Sequence, residues 1–371
     1  MIKVLELIDG GFIGGGQTHI LSLAGNIDAD KFKTVIAASP DGEFRNIAVK
    51  LNFEFEEITL PKFFRTKYLL RLDEICRSRS IDIIHSHGGI AGMYARFYKK
   101  RNPDIKVIHT IHGIHYTNSP GFMKKFISLS VEQYLLKYTD RFICVSDSDF
   151  TEAEKIKIID PLKTSVIKNG IDTDKFSNRK KNKLLLTKYG IKQNEMVIGN
   201  ISRFDFQKNQ RFIISNAGYL FEKYTGLKIL LAGDGKYSDE CKRLAEATGF
   251  TDRFIFPGEI NNPEDFYSLF DVFIFPSLWE GLSISLIESM ASGNCILASD
   301  IPANKELIIN NSNGLTFNLN DNSEFISKLD LLIENAALRK ELSENAIKYS
   351  ENFSGKNMTM KIENEYLKLI N

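Results

Sequence analysis

From Ile2 onward, short apolar runs alternate with helical patterns, and most runs end in glycine, histidine, proline or a small polar residue. The first is Ile2–Ile8, followed by a glycine-rich stretch and a helical pattern from Thr18. Further strands are expected at Phe32–Ala38, Phe53–Ile58, Asp82–Gly88, Lys106–Thr110, Arg141–Val145 and Thr164–Lys168. Helices are expected at Glu43–Leu51, Lys67–Arg79, Ile90–Lys100 and Phe122–Tyr138. Strands that alternate with helices in this way imply a mostly parallel, doubly wound α/β sheet. Such sheets bind ligands just beyond the carboxyl ends of their strands, so the residues after each run are the functional candidates.

The pattern starts afresh after a polar, basic tract, Asn178-Arg179-Lys180-Lys181-Asn182-Lys183. Strands are expected at Met196–Ile201, Leu227–Ala232, Arg253–Phe256, Asp271–Phe275 and Asn294–Ala298, with helices at Ser323–Glu334, Ala337–Ser350 and Gly355–Ile370. The shift in composition places a domain boundary at 175/176, and 371 residues suffice for two domains of ordinary size.

Four stretches carry chemistry. Pro276–Glu288 follows a buried strand and opens a helix with Leu282, Leu286, Ile287 and Met290 at helical spacing. The start of such a helix suits an anion, and Glu280 and Glu288 stand at its mouth and on its first turns. The other reading is an ordinary amphipathic helix with solvated glutamates. Asp9–Gln17 resembles a nucleotide-binding turn, but Gly11, Gly14 and Gly16 lack the dinucleotide-binding spacing. Arg203 and Lys208 follow a strand; they suit a diphosphate, or they are solvated surface cations. Five of the six histidines (His85, His87, His109, His112 and His115) fall near the ends of two strands. Hydrogen bonding at a ligand is the favoured reading, beside structural histidines and a zinc site; no cysteine joins them. Asp172 and Asp174 read as turn formers before a metal-binding pair.

A net charge of +1 gives no electrostatic argument for nucleic acid. Cys76, Cys144, Cys241 and Cys295 have no zinc spacing and read as core residues in a reducing compartment. No apolar run approaches the ~18 residues of a membrane span, and Met1 leads straight into a strand, so a cytoplasmic location is expected. From Arg96 to Lys125 there are seven Lys or Arg against one acid, Asp104, beside Phe122, Met123, Phe126 and Ile127. This stretch reads as a solvated helix face or as a contact for an anionic membrane surface.

Several segments together resemble the retaining glycosyltransferases of family 4 (group 1). They are Gly14-Gly15-Gly16, Asp82–His87, Thr110-Ile111-His112-Gly113, Val145–Ser148, Lys168–Asp172, Ser202-Arg203-Phe204 with Lys208, Ala232–Gly235, and Glu280 with Glu288. Asn209 stands where that family often has glycine. The resemblance implies the GT-B fold: two facing doubly wound Rossmann-like domains with a cleft between them. It implies an acceptor-binding domain at 1–175, rejoined by a C-terminal helix at 355–371, and a nucleotide-sugar-binding domain at 176–354. It further implies that Arg203 and Lys208 bind the donor diphosphate, with the N–H groups of Leu282 and Ser283, and with Gly233 and Gly281 alongside. Glu288 would hold the ribose, Glu280 the donor sugar, and His112 the sugar near its reacting carbon. Gly15 and Gly16 would approach the phosphates. No metal or other cofactor is implied.

Eight residues of helix span about 12 Å, whereas a retaining glycosidase holds its two carboxyl groups ~5–5.5 Å apart. Glu280 and Glu288 therefore read as separate handles on one donor. The expected activity is sugar transfer to a glycan or lipid-linked acceptor in bacterial-type surface polysaccharide or glycoconjugate synthesis. A sugar-nucleotide epimerase or a non-catalytic nucleotide-sugar-binding protein is the alternative.

Overall fold

The computed structural model describes residues 1–114, 122–177 and 180–370, with Phe122 and Lys124 described through their backbone. His115, Asn178 and Arg179 lie outside the described residues. Two compact units result: Met1–Ile171 with Ser354–Asn371, and Asp172–Phe353.

The first unit runs β1 (Ile2–Ile8), α1 (Gly15–Asn26), β2 (Phe32–Ala38), α2 (Phe44–Lys50), β3 (Glu54–Glu57), α3 (Lys67–Arg79) and β4 (Ile83–His87). It continues with α4 (Gly89–Arg101), β5 (Lys106–Ile111), α5 (Phe122–Leu135), β6 (Arg141–Cys144), α6 (Asp147–Lys155) and β7 (Thr164–Val166). Its seven strands lie in the order β3-β2-β1-β4-β5-β6-β7, all parallel. Helices cover both faces, which is why the central strands are apolar without alternation. Leu5, Leu7 and Ile84 pack under α3 and α4 on one face, while Val4, Ile83 and Ile108 pack with Leu23 of α1 on the other. Each such side chain contributes about 1.5–3 kcal/mol on burial. The strand order reverses between β1 and β4, so the loops after β1, β4 and β5 share one edge of the sheet.

The second unit begins with α7 (Thr173–Phe176) and α8 (Lys183–Lys188), then β8 (Met196–Ile201), α9 (Gln210–Lys223), β9 (Leu227–Ala232), α10 (Ser238–Ala247) and β10 (Phe254–Gly258). Next come α11 (Pro263–Tyr267), β11 (Val272–Phe275), α12 (Ile284–Ala291), β12 (Cys295–Ser299), α13 (Pro302–Lys305), β13 (Leu315–Phe317), α14 (Asn322–Glu334) and α15 (Ala336–Ser350). Its parallel sheet has the order β10-β9-β8-β11-β12-β13, and here the reversal lies between β8 and β11. The sequence reading has no strand at Leu315–Phe317, a run too short to stand out before it pairs with β12.

The division falls at Ile171/Asp172 rather than 175/176. Asp172 caps α7 by accepting from Lys175 N–H at 3.2 Å, and Phe176 stacks edge-on with Tyr267 at 5.9 Å. The composition shift marks the polar tract and misses this short helix before it. Asp172 is thus a helix cap. The last helix, α16 (Gly355–Ile370), returns to the first unit, where Ile362 and Tyr366 are fully buried among residues of β1, β4 and β5. All four cysteines are free and buried.

Candidate active site

In the second unit the loops after β8 and β11 lie side by side at the switch point. They are held there by their own polar groups: Gln207 Nε2 donates to Trp279 O at 2.7 Å, and Leu278 N–H donates to Gln207 O at 2.8 Å. Lys208 Nζ consequently meets Glu280 Oε1 at 2.6 Å, with the two side chains only 17% and 7% exposed. The ammonium also lies 5.2 Å from the centre of the Phe275 ring. The short contact and the low exposure fix the two side chains against each other. Lys208 still has two N–H bonds to offer and Glu280 one oxygen, so the pair presents a cation and an acceptor together.

Arg203 is well exposed at 70%, and it forks onto Asp205 Oδ2 through Nε at 2.9 Å and Nη2 at 2.8 Å. Asp205 Oδ1 accepts the Gln207 and Lys208 N–H groups at 3.0 and 3.3 Å, so this one carboxylate sets both the loop and the guanidinium. The sequence reading does not single out Asp205. Its only signal is a short acid between two cations.

Asn209 has a left-handed backbone, φ +54°, at the start of α9. Glycine adopts that conformation at least cost and asparagine is the next best choice. The departure from the family's usual glycine therefore preserves the turn that delivers Lys208.

Helix α12 begins at Ile284, with Ser283 as its N-cap; Ser283 Oγ accepts from Leu286 N–H at 3.3 Å. Leu282 and Ser283 therefore lead into the helix, and its first N–H groups are those of Ile284 and Ser285. Gly281 lies in the bend before them. Glu288, one turn on, accepts from Tyr267 Oη at 3.1 Å, and no hydrogen bond joins it to Glu280. Burial pushes its carboxyl up to about 7, against the opposing pull of the Tyr267 bond and the charge of Lys175.

Gly233, expected alongside the donor diphosphate, turns the chain just after β9. Its N–H is committed to Gly258 O at 2.8 Å. With φ at +124°, a Cβ there would collide with Ser202 O. It lets β8 and β9 end against each other, and its N–H is not available to a phosphate.

In the first unit the switch point holds a buried polar network. Glu6 Oε2 receives His87 Nε2 at 2.7 Å and lies 3.2 Å from His85 Nδ1, while Tyr366 Oη donates to Oε1 at 2.8 Å. His85 Nε2 faces Thr110 Oγ1 at 2.7 Å. His87 Nδ1 faces His112 Nε2 at 2.9 Å, and His19 Nδ1 faces Asn169 Oδ1 at 3.0 Å. Burial alone would raise the Glu6 carboxyl, but His85 and His87 hold it well below the usual carboxylate range. Burial, with the neighbouring imidazoles, pushes His19 down to about 3, His87 to about 4, and His112 well below its ordinary value.

Gly16 is on the first turn of α1, where a Cβ would meet Ile8 Cδ1 at 3.0 Å and His112 Cδ2 at 3.8 Å; Gly15 faces open space. His109 is a core residue, bonded to Ser86 Oγ at 3.0 Å. Glu6, His19, Asn169 and Tyr366 escape the sequence reading. The signal for Glu6 is a lone carboxylate inside an apolar strand, and for His19 a sixth histidine on the helix opened by the glycine loop.

Two groups bring possible metal-ligand atoms within 4.8 Å of one another: His19 with His87 and His112, and Glu6 with His85 and His87. His87 hydrogen-bonds to His112 in the first group and to Glu6 in the second, so an ion would have to displace those protons, while His19 Nε2 is buried with no hydrogen-bond partner among the described residues.

Residues 13–175 match the family described as Glycosyltransferase Family 4, and residues 182–349 match Glycosyl transferases group 1. The chain is 32% identical over 320 residues to the putative glycosyltransferase EpsF of Bacillus subtilis (strain 168), covering 81% of this chain and 79% of that protein. It is 29% identical over 267 residues, 71% of this chain and 69% of the other, to the UDP-Gal:alpha-D-GlcNAc-diphosphoundecaprenol alpha-1,3-galactosyltransferase of Escherichia coli. The crystal structure of Anabaena Alr3699/HepE in complex with UDP and glucose superposes with a TM-score of 0.88 at 18% identity, covering 99% of this chain and all of that one (100%). The two parallel sheets are those of the GT-B fold, and the chain belongs to the group 1, family 4 glycosyltransferases.

Proposed function

We propose that this protein is a retaining, metal-independent glycosyltransferase that moves a sugar from a nucleotide-sugar donor to a glycan or lipid-linked acceptor. The observation that carries the reading is the fixed Lys208–Glu280 pair at the switch point of the second sheet, 2.6 Å apart, with Arg203 on the adjoining loop. Lys208, Arg203 and the first N–H groups of α12 supply positive charge where a diphosphate would depart. Glu280 accepts hydrogen bonds from hydroxyls of the donor sugar, and Glu288 from the ribose. Gly15 and Gly16 give phosphates access to backbone, and His112 contacts the sugar.

Electrostatic stabilisation of the leaving diphosphate by protein cations is the basis for metal independence. For retention we favour front-face substitution. The bond from the anomeric carbon to the β-phosphate oxygen breaks, and the acceptor oxygen bonds to that carbon from the same side. The acceptor's proton passes to the departing phosphate. The Escherichia coli relative is named for a UDP-sugar and a diphosphoundecaprenol-linked acceptor, which supports this substrate class and a role in surface polysaccharide or glycoconjugate synthesis.

A panel of nucleotide sugars in a thermal-shift assay tests the reading, because a ligand of the native state alone raises its apparent stability. One donor should stabilise the protein and then transfer with the anomeric configuration kept. Stabilisation by none would sink the donor assignment. Epimerised donor without transfer would favour the epimerase, and binding without turnover the non-catalytic role.

Among the described residues no helix is long and apolar enough to cross a membrane. Met123, Phe126 and Ile127 are 68%, 60% and 55% exposed on α5, and Lys100 and Lys137 stack on Tyr134 and Tyr138 nearby. We propose this basic, apolar face as the contact with an anionic bilayer. Co-sedimentation with anionic vesicles, weakened by salt, is the expected result; no binding at low salt would end the idea.

A further inference from the structure

Glu6 lies in the fully buried part of β1, at 0% exposure, where an unpaired carboxylate would cost several kcal/mol. It is held instead by Tyr366 Oη, His87 Nε2 and His85 Nδ1. The arrangement fixes more than one charge. An ionised carboxylate has no proton to give, so the 2.7 Å bond to His87 requires the proton on His87 Nε2. His87 is neutral near pH 7, because burial lowers it to about 4, so its Nδ1 is a bare lone pair. That lone pair lies 2.9 Å from His112 Nε2, which must therefore be the N–H of its ring. In neutral His112 the proton is then absent from Nδ1. Of these three residues only His112 is partly exposed, and no described residue hydrogen-bonds to its Nδ1.

We propose that Glu6 is a positioning residue, acting through His87 to hold His112 as its Nε2–H tautomer, so that His112 meets the donor sugar with a bare Nδ1 and accepts a hydrogen bond from a sugar hydroxyl. The inference rests on the reading that His112 contacts the donor sugar. It assigns the direction of that contact: a sugar that offers a hydroxyl proton is favoured, and one that offers only an acceptor, such as a deoxyfluoro sugar, is not.

Glu6→Gln makes the logic testable. Tyr366 Oη bridges Glu6 Oε1 at 2.8 Å and His85 Nδ1 at 2.6 Å; while its proton is given to the Oε1 side, the amide oxygen of glutamine belongs there and its NH₂ faces His87. An N–H there requires a bare His87 Nε2. The His87 proton moves to Nδ1, and His112 must move its own proton to Nδ1 as well. One side-chain atom changes at Glu6, and the tautomer reverses at His112.

The experiment is nitrogen-15 NMR of the full chain labelled in histidine, read through the two-bond proton–nitrogen correlations that separate the tautomers, together with donor kinetics. Wild-type His112 should be the neutral Nε2–H form and folded Glu6→Gln the Nδ1–H form. Transfer in Glu6→Gln should fall about 10- to 100-fold in kcat, the scale of one misdirected hydrogen bond, with the acceptor KM unchanged. In a His112→Ala background the Glu6→Gln change should add no further loss. Wild-type His112 found as Nδ1–H or as the cation overturns the proposal, and this reading survives even if the Glu6 variant does not fold. A His112 tautomer that stays unchanged in folded Glu6→Gln while His87 becomes the Nδ1–H form overturns it too. Normal transfer by His112→Ala removes the donor-sugar contact itself, and is distinguishable because the tautomers are read independently of turnover.

Discussion

Each unit sets a carboxylate against a basic side chain at the switch point of a parallel sheet, but the two do so under opposite conditions. Lys208 and Glu280 lie on loops, pair at 2.6 Å, and keep unused donors and acceptors. Glu6 lies inside a strand, bonded to Tyr366 and His87, and burial lowers the pKa values of His87 and nearby His19. The comparison separates two uses of a buried carboxylate. On the proposed reading, the loop carboxylate presents an acceptor to a ligand, and the one inside the sheet sets the proton positions of the groups that reach the surface.

The largest test of this contrast is Lys208→Ala. It removes the cation proposed for the diphosphate and leaves Glu280 without its partner. Loss of one group that stabilises developing charge costs on the order of 10²–10³-fold in kcat. Steady-state kinetics on protein with native circular dichroism should show that loss, and near-normal turnover would break the assignment. Glu280→Gln should lose a comparable factor, and the two losses should not add, because the residues act as a unit.

Tyr366→Phe probes the other region. It removes one donor from the buried Glu6 carboxylate, so a stability loss of about 1.5–3 kcal/mol is expected in denaturant titration. A loss below about 0.5 kcal/mol, on the order of an ordinary surface change, would mean that Glu6 is satisfied without it.

Glu288 gives a pH dependence with a definite sign. Its folded pKa of about 7 exceeds the ordinary 4.5, so the folded state binds the proton more tightly. Between those values the native protein carries more protons than the unfolded one, and stability falls as pH rises. Under the proposed ribose role, donor binding runs the other way, because only the ionised carboxylate could accept from both ribose hydroxyls. The donor KM should therefore drop by up to about tenfold from about pH 6 to about pH 8. Glu288→Gln should flatten that profile while binding the donor weakly throughout, and a profile unaltered by the variant would remove Glu288 from the ribose.

The smallest effect is expected at Asn209. Asn209→Ala should cost about 1–2 kcal/mol in stability because alanine resists the left-handed conformation, and Asn209→Gly should cost far less. Equal losses would show that the Asn209 side-chain bond to Pro276 O, at 3.2 Å, matters more than the turn.

Much of the fold is legible in the sequence because parallel strands covered on both faces leave continuous apolar runs. Ile2–Ile8, Met196–Ile201 and Leu227–Ala232 are bounded as the pattern suggests. The loop residues Lys208, Glu280 and His112 stand out for a related reason, since they lie in the loops that follow such runs. Glu6 is not, because its partners His87 and Tyr366 are 81 and 360 residues away and only the strand order brings them together. Asp205 is hidden differently: a short acid in a polar loop looks solvated until its hydrogen bonds are seen. Helix α12 starts at Ile284, beyond the Leu282 that spacing suggests, because the cap at Ser283 depends on backbone angles that spacing does not reveal.

The central claim is that Lys208 binds the diphosphate of a nucleotide donor. Isothermal titration of the donor's nucleoside diphosphate into wild type and folded Lys208→Ala tests it without requiring the acceptor. The account expects binding by the wild type and at least about tenfold weaker binding by the variant, the equivalent of about 1.4 kcal/mol. Equal affinities would contradict it.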